Sequence, residues 1–312
     1  MYIVRSVGDN DEAAGAGLKL GSLCTGYGGL DMAVERYFDA KTVWVSEIDK
    51  YASQLIDARI NKPNLGNLKV IDWASVEPID VLTAGYPCQP FSHAGHRKGV
   101  EDERHLWPYI KQAISVLRPK FVVLENVRGH FSLGFREVLG ELTEIGYDAR
   151  WRLVRASDVG APHRRERLFI VAYPNGKGSQ RNSRAGYGFK QSSVKQIVAN
   201  TDNSRRFRNL SGLQSRLDPR IVGDTYNQHK SHNGEVQELG RRFASRCEMF
   251  MQAAPNTLVN GKLNAEFVEY MMGLPKGWVT DVGLSRTQQL KILGNGVVPQ
   301  QAYYALQLLL GQ

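Results

Sequence analysis

The sequence predicts an α/β protein with a doubly wound, mostly parallel sheet and a second, smaller domain. Two observations lead to this prediction. Short apolar runs alternate with stretches of helical period over residues 18–173, as they do in strand–helix–strand repeats. After residue 173 the sequence becomes rich in Gly, Ser, Asn, Gln and Arg, and the excess of positive charge is confined to that later segment.

Five short runs rich in Val, Leu, Ile and Phe are predicted to be strands. They are LKLGSL (18–23), TVWVSE (42–47), DVLTAG (80–85), FVVLEN (121–126) and LFIVAY (168–173). Val70 and Ile71 form one further apparent strand. Such nearly continuous apolar runs are typical of parallel strands that helices cover on both faces.

Helices are predicted between these strands, where apolar residues recur three and four positions apart. These stretches are LDMAVERYF (30–38), DKYASQLIDARIN (49–61), HLWPYIKQAISVL (105–117) and FREVLGELTEIG (135–146). Apolar clusters typical of a folded domain recur from residue 263, and the last stretch predicts a turn that leads into a helix from about Gln300.

Composition limits the class of protein. The chain has 312 residues, 42% of them hydrophobic, which is enough for a large domain and a smaller one. No apolar run reaches the length of about 18 residues that a membrane span needs, and residues 1–17 lack a signal-peptide layout, so we expect the cytoplasm. Three scattered cysteines, Cys24, Cys88 and Cys247, predict neither a disulfide framework nor a metal site.

The net charge of +9 has an uneven distribution along the chain. Residues 174–262 hold 15 Lys and Arg against 6 Asp and Glu, whereas the rest of the chain holds 25 of each sign. A basic segment beside a neutral body suggests a polyanion as partner. A solvated insert would explain the charge equally well, so charge alone leaves both interpretations open.

A glycine-rich loop, Cys24-Thr25-Gly26-Tyr27-Gly28-Gly29-Leu30, follows the first predicted strand. Glycines let a backbone turn sharply and approach a ligand at the carboxyl end of a strand, although many such loops are only turns. The second strand ends in Ser46-Glu47-Ile48-Asp49, where Glu47 could bind both hydroxyls of a ribose and Asp49 suits a helix cap. Asp72 could accept a bond from an adenine amino group or cap a helix.

Two prolines bracket a cysteine in Gly85-Tyr86-Pro87-Cys88-Gln89-Pro90-Phe91-Ser92. An isolated cysteine is usually a small buried hydrophobe. Here the prolines fix the backbone on both sides, so the thiol is held at the edge of the sheet rather than inside it. Cys88 is therefore a candidate nucleophile.

Charged residues lie at the ends of two further strands. Glu125, in Glu125-Asn126-Val127, should face the same crevice as Cys88, because an unpaired carboxylate is costly in a core. The block His163-Arg164-Arg165-Glu166-Arg167 precedes the last strand. Alternation predicts that Arg165 and Arg167 lie on one side and Glu166 on the other. A solvated charge cluster is the plainer interpretation of this block taken alone.

In order and spacing these segments resemble the motifs of the DNA cytosine-5 methyltransferases. The resemblance also includes LNAEFVEYMMGLPKGW (263–278) and Gly294-Asn295-Gly296-Val297-Val298-Pro299, and it covers residues 18–173 and 263–312. It implies an S-adenosylmethionine-dependent methyltransferase fold, with a catalytic domain of residues 1–173 and 285–312. Residues 174–284 would then be a small, basic target-recognition domain.

The resemblance implies roles for four catalytic residues. Cys88 would add to carbon 6 of a flipped-out cytosine, so that carbon 5 becomes nucleophilic. Glu125 would carry or share a proton at N3, which requires a raised carboxyl pKa. Arg167 would bind the cytosine O2 and orient Glu125, and Arg165 would be its companion on the phosphate or cysteine side.

The resemblance also implies binding residues. The S-adenosylmethionine site would comprise Thr25, Gly26, Tyr27, Gly28, Gly29, Leu30, Glu47, Ile48, Asp72, Trp73, Pro87, Leu106, Asn295 and Val297. Contacts with DNA are expected from Gln89, Ser92, Arg97, Lys98, Arg205, Arg206 and Arg208. The expected partner is double-stranded DNA, and a cognate restriction endonuclease is a candidate partner. We expect the protein to be a monomer that binds neither a membrane nor a metal ion.

The chain departs from the family pattern at two positions. Cys24 stands where an aromatic residue usually stacks on the adenine, so Tyr27 or Trp73 would have to compensate, or cofactor affinity would be lower. His163 stands where Gln is common, which should be harmless because the arginines remain.

Other interpretations stay open at this point. They are methylation of cytosine in RNA, a catalytically inactive DNA-binding homologue, and a different one-carbon donor. The long basic segment favours DNA, intact Cys88, Glu125 and Arg167 favour an enzyme, and the glycine-rich loop with Glu47 favours S-adenosylmethionine.

Overall fold

A computed structural model describes residues 17–87, 106–176 and 254–311. The described residues other than Gly176 belong to one compact unit. Six strands form its main sheet, and they are β1 (Leu18–Leu23), β2 (Ala40–Ser46), β3 (Val81–Gly85), β4 (Phe121–Val127), β5 (Tyr147–Val154) and β6 (Arg167–Pro174). A two-residue turn joins the short hairpin β7 (Leu258–Val259) and β8 (Lys262–Leu263).

Seven α-helices surround the sheet or follow it in the described parts of the chain. They are α1 (Gly29–Phe38), α2 (Lys50–Arg59), α3 (Trp107–Leu117), α4 (Phe135–Glu144), α5 (Ala265–Met271), α6 (Arg286–Asn295) and α7 (Pro299–Leu310). Three short 3-10 helices are also formed, at Trp73–Ser75, Arg128–Ser132 and Ala156–Val159. None of the helices in the described ranges is both long and apolar enough to cross a membrane.

The sheet has the strand order β2-β1-β3-β4-β6-β5. Strands β2, β1, β3 and β4 are parallel, whereas β6 runs antiparallel to both β4 and β5. This arrangement confirms the predicted mostly parallel α/β sheet. Because Leu23 pairs with Ala84 and Gly85 pairs with Glu125, the carboxyl ends of three neighbouring strands meet at one edge.

The core consists of two hydrophobic clusters. In the larger cluster, strand residues such as Leu82, Leu124 and Ile170 pack against Ile110 of α3 and Leu142 of α4. Burial of each such side chain contributes about 1.5–3 kcal/mol. These contacts fix α3 and α4 to the sheet.

The second cluster joins distant parts of the sequence. Tyr27 and Leu55 pack there with Val279, Leu293 and Val298, and α7 also packs against α1. Val279 lies within the predicted recognition domain, yet it contacts residues of the predicted catalytic domain. The domain boundaries at residues 173 and 284 stay predictions.

Two details of the predicted secondary structure were wrong. Val70 and Ile71 form no strand; Val70 is 79% exposed, and no neighbouring strand pairs with it. Strand β5, which the sequence did not predict, occupies the edge of the sheet beside β6. Its residues are mostly only half-buried, so no apolar run marks it.

Candidate active site

The glycine-rich loop turns sharply after β1. Cys24, Gly26 and Gly28 have φ angles of 53°, 57° and 80°, in the left-handed region that favours glycine. The amide of Gly26 donates a 2.9 Å hydrogen bond to Oε2 of Glu47, which ties the loop to the end of β2. Burial, with a smaller contribution from Glu47, raises the pKa of the Cys24 thiol to about 12, so this thiol stays protonated near neutral pH.

Glu47 is fixed by backbone amides at the carboxyl end of β2. Its Oε1 accepts 2.9 Å hydrogen bonds from the amides of Ile48 and Asp49. Asp49 caps α2, with Oδ1 accepting from Tyr51 and Ala52, and its Oδ2 lies 2.6 Å from Nζ of Lys291. The cap interpretation of Asp49 is therefore confirmed, and Glu47 is the carboxylate that faces the loop.

Tyr27 links the loop to the far end of the described chain. Its side chain is fully buried, and its hydroxyl donates a 2.7 Å hydrogen bond to the carbonyl oxygen of Val297. A Cβ added at Gly29 or Gly296 would overlap the Tyr27 ring, so both glycines are needed for this close approach. The ring is therefore enclosed by protein and is not available to stack on a ligand.

Trp73 and Asp72 have structural contacts of their own. The Trp73 ring is buried beside Trp44, with centroids 6.0 Å apart. The exposed Asp72 caps the 3-10 helix, because Oδ1 accepts from the amide of Ala74 at 3.2 Å. The rings of Tyr27 and Trp73, which were expected to compensate for Cys24, are therefore both covered by protein. A contact between Asp72 and the adenine stays a prediction.

The remaining expected cofactor residues differ in their exposure. Thr25 and Leu30 are buried, whereas Ile48, directly after Glu47, is 70% exposed. Leu106 precedes α3 and is partly buried, and Asn295 is exposed at the end of α6. Pro87 is exposed just after β3.

A buried carboxyl beneath the loop was missed by the sequence analysis. Asp31, in the first turn of α1, accepts hydrogen bonds from Ser22 Oγ of β1 and Thr83 Oγ1 of β3, and Ser22 also bonds to Thr25 at 2.9 Å. Burial raises the pKa of Asp31 to about 7, against the opposing effect of these two hydroxyls. The only signal in the sequence is an acidic residue two positions after Gly29.

The buried Glu125 lies two residues before the end of the central strand β4 and pairs with Arg167, at 3.0 Å between Oε1 and Nε. Burial raises the pKa of Glu125 to about 7, although the guanidinium groups of Arg167 and Arg165 oppose the shift. A Cβ added at Gly85 would lie 3.7 Å from Oε2 of Glu125 and 3.9 Å from Cγ2 of Val297. Glu125 and Val297 therefore flank the end of β3, three residues before Cys88.

Asn126 holds the segment that follows β3. Its Nδ2 donates a 3.2 Å hydrogen bond to the carbonyl oxygen of Tyr86, and its Oδ1 accepts from the amide of Val127. The Tyr86 hydroxyl lies 3.0 Å from Nε2 of the buried His130. Burial lowers the pKa of His130 to about 4, so this imidazole is neutral at physiological pH.

Arg165 contacts backbone rather than Glu125. Its Nη2 donates to the carbonyl oxygens of Gly294, at 2.9 Å, and Gly296, at 2.6 Å. Its own carbonyl oxygen accepts from Gln301 at 2.7 Å. Arg165 thus fixes the segment that carries Asn295 and Val297, a function that the sequence did not predict.

Several expected site residues lie outside the described residues. They are Cys88, Gln89, Ser92, Arg97, Lys98, Arg205, Arg206 and Arg208. Within ranges 17–87, 106–176 and 254–311, no group of three or more His, Cys, Asp or Glu side chains could hold a metal ion.

Comparison with known proteins gives consistent results. The sequence pattern of the family described as C-5 cytosine-specific DNA methylase matches residues 18–309. The chain is 38% identical over 156 residues to the type II methyltransferase M.NgoBI of Neisseria gonorrhoeae, covering 48% of this chain and 49% of that protein. It is 35% identical over 172 residues to M.BsuFI of Bacillus subtilis, covering 53% and 42%. The matches span about half the length of these curated relatives.

Solved structures show the same fold. A DNMT2 mutant of Spodoptera frugiperda superposes with a TM-score of 0.56 at 17% identity, covering 94% of this chain and 99% of that one. The methyltransferase EhMeth of Entamoeba histolytica gives a TM-score of 0.58 at 15% identity, covering 93% and 97%.

Proposed function

Because this chain belongs to the C-5 cytosine-specific DNA methylase family, we propose that it transfers a methyl group from S-adenosylmethionine to carbon 5 of cytosine in duplex DNA. The observation that carries the proposal is the buried Glu125–Arg167 pair beside the end of β3, where the chain continues into Pro87-Cys88-Gln89. A carboxyl with a pKa near 7 and a guanidinium at one strand edge suit the N3 and O2 edge of cytosine.

The proposed chemistry begins with activation of the cytosine ring. Cys88, as a thiolate, adds to carbon 6. The electron pair of the double bond between carbons 5 and 6 shifts to join carbons 4 and 5, and the pair between carbon 4 and N3 moves onto N3. Protonated Glu125 donates at N3 and neutralises the charge that reaches it. Carbon 5 then attacks the methyl group, whose bond to the sulfonium sulfur breaks, so that the donor would leave as a neutral thioether. Carbon 5 loses its proton to water, and Cys88 departs as the double bond between carbons 5 and 6 reforms. The proton at N3 returns to Glu125.

Arg167 has two proposed tasks in this reaction. Its Nε keeps the Glu125 carboxyl oriented, at 3.0 Å from Oε1, while other N–H groups of the guanidinium can donate to the cytosine O2. A planar guanidinium with five donors suits this double contact better than an ammonium would. Arg165, through Gly294 and Gly296, supports the site from the other side.

The residues of the glycine-rich loop fit the proposed cofactor. S-Adenosylmethionine supplies an electrophilic methyl group on a sulfonium. Glu47 is held by three amides, two on Oε1 and one on Oε2, so Oε2 retains an acceptor position that a ribose hydroxyl could use. The exposed side chain of Ile48, beside it, offers an apolar surface for the adenine. A Cβ at Gly26 would meet no atom within 4 Å, which leaves space along the loop.

The reaction requires that carbons 5 and 6 of the cytosine are accessible to the enzyme. Carbons 5 and 6 of a paired cytosine cannot be reached inside a duplex, so the base must be flipped out. We propose that residues 174–284 read the sequence and that Arg205, Arg206 and Arg208 contribute contacts there. The relatives M.NgoBI and M.BsuFI bear the name type II methyltransferase, which supports a role in restriction-modification and a cognate endonuclease as partner.

The test is transfer of label from methyl-labelled S-adenosylmethionine to duplex DNA. The wild-type chain should label carbon 5 of cytosine in a specific sequence, and base-resolution sequencing should identify that sequence. Cys88→Ser should lose the label because its hydroxyl is a poor nucleophile, while Cys247→Ser, at a thiol with no proposed role in the reaction, is the matched control.

Two results would contradict the proposal. Label in tRNA without label in DNA would establish the RNA activity instead. Label that persists in Cys88→Ser DNA reactions would exclude the covalent mechanism while leaving the methyl transfer intact.

A further inference from the structure

Three guanidinium groups from three separate elements converge on Glu166, at the edge where β4 ends and β6 begins. Arg128, in the 3-10 helix after β4, places Nη1 at 2.9 Å from Oε2 of Glu166. Arg155, before the 3-10 helix Ala156–Val159, places Nε at 3.3 Å from Oε1. Arg164 places Nη2 at 3.7 Å from Oε2. We call these three arginines the Glu166 cluster.

The Glu166 cluster exposes its positive charge. The side chain of Glu166 is 12% exposed, whereas the side chains of Arg128, Arg155 and Arg164 are 65%, 49% and 63% exposed. Three cations around one carboxylate leave an excess of two positive charges. Each guanidinium has five N–H donors, so one carboxylate cannot satisfy all of them, and the remaining donors face solvent.

Further contacts hold the cluster in place. The amide of Arg155 donates a 2.9 Å hydrogen bond to Oδ2 of Asp158, which fixes the turn that carries this arginine. An open pocket of about 450 Å³ lies beside it, lined by Arg155, Ser157, Ala161, Pro162, His163 and Arg164. His163 is bonded to the carbonyl oxygen of Met271 at 2.7 Å, and burial lowers its pKa, so the positive charge of the pocket comes from its arginines.

The cluster lies close to the proposed catalytic pair in the fold. Arg128 follows Glu125 by three residues, and Arg167 pairs with Val127 in the β4–β6 ladder. Arg167 contacts Glu125 while Glu166 contacts the cluster, as the alternation of side chains at the start of β6 predicts. If a DNA strand placed its flipped-out base beside Glu125, the phosphates next to that base would therefore lie near this edge of the protein sheet.

We infer that the Glu166 cluster binds backbone phosphates of the duplex DNA substrate, with Glu166 as the residue that positions the three guanidinium groups. The inference rests on the proposed function for the identity of the polyanion. Exposed, preorganised guanidinium groups bind phosphate oxygens through paired N–H donors, and such contacts position a duplex without reading its sequence. The open pocket suits a polymer that passes across the surface better than a small ligand that must be enclosed.

The test measures binding of a labelled duplex by fluorescence anisotropy at several salt concentrations, with the full chain. Arg128→Gln, Arg155→Gln and Arg164→Gln should each weaken binding for all duplex sequences alike. The slope of log K against log salt should fall in magnitude by about 0.9 for each phosphate group that the variant no longer neutralises. Arg136→Gln on α4, an exposed arginine outside the cluster, is the matched control and should leave the slope unchanged.

The outcomes separate this inference from the proposed function. If the wild type methylates DNA but all three variants keep its salt slope, the cluster is not a phosphate site and the enzyme assignment stands. If the variants show the expected fall in slope although no methyl transfer is found, the phosphate site stands and the assignment fails. Weaker binding of the variants to duplex RNA with unchanged binding to DNA would overturn the inference in favour of the other polyanion. Circular dichroism of each variant should match the wild type, because these side chains are exposed.

Discussion

Burial of the Glu125 carboxyl has a direct consequence for how activity depends on pH. Because its pKa is about 7, the protonated form that can donate to N3 dominates below that pH and is lost above it. We expect the rate of methyl transfer at saturating substrate to decline as pH rises through about 7. Glu125→Gln should be slower by about 10²-fold or more, and its residual rate should lack this decline. Single-turnover rates from pH 5.5 to 8.5 would measure both effects; an equal decline in Glu125→Gln would assign it to another group.

Asp31 gives a separate prediction about stability. Its pKa is about 7 in the folded protein, above the ordinary value near 3.9, so the folded state binds more protons than the unfolded state between these pH values. Stability from this group is therefore present below about pH 4 and is lost as pH rises to 7. Asp31→Asn should gain about 2 kcal/mol relative to the wild type between pH 5 and 7. Urea unfolding at each pH tests this, and a difference independent of pH would contradict it.

At the scale of elements, the segment between α6 and α7 forms one wall of the site. Gly296 packs directly on the Tyr27 ring, whereas a Cβ added at Gly294, two residues earlier, would meet no atom within 4 Å. Gly296→Ala should therefore lower the free energy of unfolding by about 1–3 kcal/mol through overpacking. It should also weaken binding of S-adenosylmethionine, because the segment that carries Val297 must move. Gly294→Ala is the control, and equal losses in urea unfolding and calorimetric titration would show that the Tyr27 contact is not the cause.

The sequence predicted the strands that are apolar throughout, but it missed the strand at the edge. In β5, Arg150, Trp151 and Arg152 are only partly buried, so the usual pattern is missing. Val70 and Ile71 gave the opposite error, because two apolar residues without a neighbouring strand do not make a strand. Local pattern therefore identifies strands that are buried on both faces and fails where tertiary pairing decides.

The sequence predicted those parts of the candidate site that lie in recognisable motifs. Glu125 and Arg167 lie together as expected, because Glu125 lies near the end of one recognisable strand and Arg167 begins another. The contacts of Tyr27 and Arg165 were not predictable, since their partners lie 270 and 131 residues away. No local periodicity carries information about contacts at such separations. Asp31 was missed for a similar reason, because its partners lie on two different strands.

At the scale of the whole molecule, the proposed cofactor site draws on distant segments of the described chain. Residues 24–49 supply the loop and Glu47, and residues 294–297 supply the opposite wall. A ligand bound to the folded state alone should raise the free energy of unfolding by about 2.7 kcal/mol at 100 times its dissociation constant. Thermal unfolding with and without S-adenosylmethionine would measure this shift. Glu47→Ala should reduce the stabilisation by S-adenosylmethionine, whereas Glu144→Ala, in an exposed ion pair with Lys111, should not. If both variants are stabilised as much as the wild type, Glu47 is not part of the cofactor site.

The hydrogen bond from Tyr27 to Val297 also has a consequence for synthesis on the ribosome. Its two partners are separated by 270 positions, so at about 5–20 residues per second the glycine-rich loop would wait roughly 14 to 54 s for the segment that encloses its tyrosine. During that interval the Tyr27 ring lacks its cover, and the nascent chain exposes an aromatic surface to chaperones. The proposed site would therefore be completed only late in translation.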